Sequence, residues 1–154
     1  MREGFLETSA PFYADVVLLL EIAMGIALLA GAVLARKKHF RLHAWCQSSV
    51  VLLNLGVIVI VMFPSFHAHV APKIPQRLGK AFYALATLHG AMGFVTEFLA
   101  LYILLAAGTK LLPAKLRITN YKLWMRSVLL LWWLVLLLGF ATYARWYVPN
   151  LFQK

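Results

Sequence analysis

Four long apolar stretches, at 13–35, 44–66, 82–108 and 127–148, divide the chain, and short connections rich in Lys and Arg separate them. Each holds roughly 20 or more residues, enough for a helix to cross a hydrocarbon core about 30 Å thick. Within them the polar residues recur at helical spacing. On the third stretch His89, Met92, Gly93, Thr96 and Glu97 fall three and four apart and share a face. On the second, His43, Gln47, Asn54 and Ser65 lie near one stripe, with Gly56 beside it. On the first, Glu21 is the single acid deep in the stretch, one turn from Gly25. The pattern predicts an all-α protein: an integral membrane four-helix bundle forming a single transmembrane domain over 1–154.

Composition agrees with this pattern. Hydrophobic residues make up 63% of the chain and charged residues 13%, against about half and about a quarter in soluble domains. The first stretch is preceded or opened by Glu3, Glu7 and Asp15 and ends in Arg36-Lys37-Lys38 without a small-residue cleavage site, so it is expected to stay in the mature protein. One cysteine, Cys46, allows no intrachain disulfide and reads as a small packing residue.

The net charge of +10 follows the membrane insertion rule better than a nucleic-acid partner. The first and third connections carry nine cations (Arg36, Lys37, Lys38, Arg41; Lys110, Lys115, Arg117, Lys122, Arg126), and the opposite side carries six (Arg2, Lys73, Arg77, Lys80, Arg145, Lys154). The expected placement is a bacterial inner membrane, multi-pass, with both termini on the outer, periplasmic or extracellular side. Anionic headgroups would gather at the basic inner rim, which includes His39 and His43. Tyr13, Tyr83, Trp146 and Tyr147 would form the outer aromatic belt, and Trp45 and Trp124 the inner one. These two tryptophans also mark a short echo, His43-Ala44-Trp45-Cys46-Gln47-Ser48 against Lys122-Leu123-Trp124-Met125-Arg126-Ser127. It fits either a duplicated hairpin or the shared demands of starting an outward-running helix.

Buried polar groups in a bilayer cost a few kcal/mol each and so mark the interior of the bundle. A rise of about 1.5 Å per residue sets Glu21 roughly 12 Å and His89 roughly 10 Å below the outer surface, and Glu97 roughly 22 Å down, level with Gln47. His67 and His69 emerge on the outer side just past Pro64. Four readings of this set stay open. Glu21 and His89 form a helix clamp with no cofactor. His89 ligates haem b with His67 or His69, which sit about 10 Å too shallow unless the second helix is longer or kinked. His67 and His69 join His89, Met62 or Met92 around copper. Or Glu21, His89 or Glu97 exchanges protons in a quinone or proton pocket. No nucleotide loop, nucleophile elbow or HExxH motif is present, and catalytic activity of its own is not expected.

The basic turn running into Leu42-His43, the histidines ending the second stretch, His89 and the basic start of the fourth together resemble the small four-helix bacterial membrane proteins of the CtaM/YozB type. The resemblance covers most of the chain. It implies a small subunit or maturation helper of a respiratory complex, a haem-copper oxidase above all, with a larger membrane complex as partner. His43, one of His67 or His69, and His89 match positions where that family tends to carry histidine. A fourth histidine would be implied where the last helix begins, and this chain reads Thr119-Asn120-Tyr121-Lys122 there.

Overall fold

A computed structural model describes residues 4–109, 111–117 and 119–148. Arg2, Glu3, Lys110 and Lys154, which enter the charge pattern, lie outside the described residues. The described chain is all-α. Its helices are α1 (Phe12–Arg36), α2 (Phe40–Val57), α3 (Phe63–His69), α4 (Ile74–Arg77), α5 (Ala81–Gly108) and α6 (Tyr121–Tyr147). Four spans are long and apolar enough to cross a membrane: α1, the run Phe40–Arg77, α5 and α6.

Two boundaries differ from the hydropathy pattern, each for a physical reason. The last helix starts at Tyr121 instead of residue 127, because the Asn120 side chain accepts from Leu123 N–H and caps it. Its first turn is polar, so hydropathy overlooks it. The second span begins at Phe40 and continues well past residue 66. A five-residue π-helical segment, Ile58–Met62, joins α2 to α3 directly ahead of Pro64. Proline has no N–H for the carbonyl one turn back, and the wider π turn, with Phe63 N–H on the Ile58 carbonyl, carries the chain into it.

The turn between α1 and α2 is a Schellman motif. His39 N–H bonds the Leu34 carbonyl at 2.9 Å and Lys38 N–H the Ala35 carbonyl at 3.1 Å, with Lys38 left-handed at φ 63°.

The most extensive packing is between α5 and α6 and between α1 and α2, with lesser contacts of α1 with α6 and α2 with α5. The spans therefore form a ring of two hairpins in which α1 and α5 stand on a diagonal. Toward the α1–α2 turn lies an apolar core built on Met24, Leu28, Val50, Val51, Ala100, Ile103 and Trp132. At the other end, Val70 packs with Tyr83 and Ala86 beneath Phe66, Phe82 and Trp146. A layer of polar side chains separates the two clusters. Outside, large apolar residues such as Phe94, Phe98 and Leu130 are exposed, as a lipid-facing surface requires.

Candidate functional site

The two hairpins are stitched in the same way, by side-chain donors reaching the main-chain carbonyls of the partner helix. In the first, His43, Cys46 and Gln47 share one face of α2 and meet the carbonyls of Gly31 (2.8 Å), Ala27 (3.2 Å) and Leu28 (3.1 Å). Gly31 makes the approach possible, since a Cβ there would stand 2.3 Å from Gln47 Nε2. In the second, His89 Nδ1 meets the Val135 carbonyl at 3.0 Å, Tyr121 the Ala106 carbonyl at 3.0 Å, and Trp146 the Phe82 carbonyl at 3.2 Å. Here Gly139 gives the room, with a Cβ there only 3.1 Å from His89 Cε1. An interhelical bond of this kind contributes about 1 kcal/mol in a bilayer.

These bonds relocate several expected partnerships. The clamp made by His89 runs to Val135 on α6 and not to Glu21. Gln47, expected beside Glu97, is held on α1 instead. Counting rise along a helix fixes height but not direction around the bundle axis, and direction decides both pairings.

Glu97 is 5% exposed and accepts a hydrogen bond from Asn54 Nδ2 at 2.9 Å, joining α5 to α2. Across the diagonal, Glu21 of α1 lies within electrostatic reach of Glu97. One oxygen of each, Oε1, is buried without a hydrogen-bond partner. Among the described residues neither carboxylate has an ion-pair partner. The Trp133 ring lies against α1 at Gly25, one turn from Glu21, and its indole N–H is also buried and unpartnered. Unpaired acceptors and an unpaired donor thus occur in one apolar bundle, which is an arrangement for holding a proton or a bridging water.

His67 and His69 do not join this centre. His67 packs on Phe63 with ring centroids 6.2 Å apart, and His69 Nδ1 meets the Ser65 carbonyl of its own helix at 3.0 Å. Both rings are exposed. Among the described residues no three His, Cys, Asp or Glu side chains gather to hold a metal ion, so His67, His69 and His89 do not come together as a set of three. His89 engages the α5–α6 seam through Nδ1, while His67 and His69 stand exposed on α3.

Two features had no site role in the sequence reading. Asp15, an acid that served only to argue against a signal peptide, is fully buried: it accepts from Leu6 N–H at 2.9 Å and from the Tyr143 hydroxyl. Thr8 bonds Tyr143 at 2.8 Å and Ser9 the Tyr147 carbonyl at 2.9 Å, which straps residues 4–11 over the end where α1 begins and α6 finishes. The pairing spans almost the whole chain, and no local spacing announces it. The second feature is a cleft of about 190 Å³ at the same end. Tyr13, Phe82, Tyr83, Trp146 and Tyr147 supply its rings. Ser65, His69 and Lys73 supply its polar lining.

Comparison with protein-family models, curated protein sequences and solved structures gives no match to this chain.

Proposed function

We propose that this chain is a proton-handling membrane subunit whose working centre is the Glu21–Glu97 pair. One observation carries the reading: two carboxyl groups on diagonal helices, Glu97 buried and Glu21 half-buried, lie within electrostatic reach of each other, and each keeps one buried oxygen free of any hydrogen bond. An ionised side chain at mid-membrane costs about 2.5–3.5 kcal/mol, and two without cations cost more. A pair that holds one exchangeable proton lowers this cost and leaves a group able to pass the proton on. Asn54 fixes Glu97 from α2, while the Trp133 ring packs on α1 at Gly25, one turn from Glu21.

The setting proposed with it is the one the resemblance implies: a small subunit or maturation helper of a respiratory complex in a bacterial cytoplasmic membrane, with both termini outside. The exposed apolar side chains of α5 and α6 suit lipid and a larger subunit equally.

Infrared spectroscopy of the protein reconstituted in lipid tests the reading through the C=O stretch of protonated carboxyl groups. The wild type should show such a band, exchanging slowly in D₂O, and Glu97→Gln or Glu21→Gln should remove or shift it. If neither substitution changes the carboxyl region, the pair is not a proton site.

One observation favours a second reading. With Nδ1 of His89 on a carbonyl, Nε2 points away from that bond, as it does in many ligating histidines. A dithionite-reduced spectrum without b-type bands removes haem from consideration.

A further inference from the structure

We propose that the aromatic cleft at the outer end binds the phosphate of a phospholipid headgroup from the surrounding leaflet, with Lys73 as its charge partner. The inference stands apart from the carboxylate pair and from whichever side of the membrane this end occupies.

The cleft is built before any ligand arrives. Phe82 and Trp146 stack with centroids 4.9 Å apart and planes at 12°, and the Trp146 indole is tied to the Phe82 carbonyl. Tyr83 is buried behind them against Val70. A rigid wall of rings at the end of the spans is where the glycerol and upper acyl carbons of a lipid lie, and interfacial Trp and Tyr favour that depth. On the polar side, Lys73 is the one Lys or Arg of the lining. Its backbone is set by a short turn, with Lys73 N–H on the Val70 carbonyl at 3.0 Å.

Charge accounting points to an anion. The chain holds 15 Lys and Arg against 5 Asp and Glu. Asp15, whose field reaches Tyr147 in the cleft wall, is turned onto Leu6 N–H and the Tyr143 hydroxyl. Glu21 and Glu97 face the bundle interior. Among the described residues no carboxylate pairs with the Lys73 ammonium. A phosphate diester supplies the missing charge, and the hydroxyls of Ser65 and the lining tyrosines supply donors to its oxygens.

Native mass spectrometry of the delipidated full chain, titrated with phosphatidylglycerol, tests this. The wild type should retain one lipid tightly. Lys73→Gln should weaken that binding at least about tenfold, as loss of a charge-assisted hydrogen bond does. Lys73→Arg should restore it, and Lys80→Gln, outside the cleft, should leave it unchanged. Equal retention by wild type and Lys73→Gln, or equal loss in Lys73→Gln and Lys80→Gln, overturns the site. Displacement of the lipid by millimolar glycerol phosphate overturns the lipid as its source; no displacement supports it.

Discussion

The hydroxyl of Tyr143, one turn from the end of α6, donates to the carboxylate of Asp15, in the first turn of α1, and so closes one end of the bundle across almost the whole chain. Thr8 shares the same hydroxyl at 2.8 Å. Removing the hydroxyl with Tyr143→Phe leaves Asp15 buried with a main-chain partner only, at a cost of about 1.5–3 kcal/mol. The loss should be local. Hydrogen exchange at Leu6 and its neighbours should accelerate about tenfold or more while the centre of α5 keeps its protection. Unchanged exchange at residues 4–10 would show that the strap does not depend on this bond.

Asn54 and Glu97 offer a separation of stability from function. Asn54→Leu strands the second Glu97 oxygen in the bundle and should destabilise by about 1–3 kcal/mol. Replacing both partners with leucine should restore much of that stability, because no buried polar atom is then left over. Thermal unfolding in detergent reads the first part. The double variant should also lose the infrared carboxyl signal assigned to the pair.

Gly31→Ala and Gly139→Ala should differ in outcome. At Gly31 the clash falls on the far end of Gln47, which can swing away and lose its bond to the Leu28 carbonyl, a cost of about 0.5–1.5 kcal/mol. At Gly139 the added methyl meets the His89 ring, which is pinned by Val135 and fixed by two torsions. That substitution should push α5 from α6 and cost more. A melting temperature lowered further by Gly31→Ala than by Gly139→Ala would contradict the packing described.

Lys38 occupies a left-handed position that glycine takes without strain. Lys38→Gly should stabilise the α1–α2 turn by about 1 kcal/mol. It should also reduce binding to anionic vesicles, since a surface cation contributes about 1 kcal/mol there. A variant both more stable and less well anchored is the expected result, measured by unfolding and by vesicle flotation.

The four spans were legible because a bilayer demands long apolar runs, and hydropathy reads them directly. The identity of the inward-facing polar residues was legible too: Glu21, Asn54, His89 and Glu97 all make or approach contacts inside the bundle. Their pairing was not. His89 and Glu21 share a depth by residue count, yet the carbonyl of Val135 took the imidazole, and a main-chain acceptor carries no sequence signature. The π segment ahead of Pro64 and the cap at Asn120 shifted helix limits for reasons that hydropathy does not encode. The Asp15–Tyr143 bond joins the two ends of the chain, where only the closed ring of helices brings them together.

His43, Cys46 and Gln47 bond within the first hairpin and His89, Tyr121 and Trp146 within the second, whereas Asn54–Glu97 and Asp15–Tyr143 join the two halves. A ribosome-bound chain entering the membrane can therefore complete α1–α2 before α5 exists. Asn54 reaches Glu97, and Glu21 comes within electrostatic reach of it, only in the final docking of two finished halves. Until then Asn54 and Glu97 each lack the bond that the finished ring gives them.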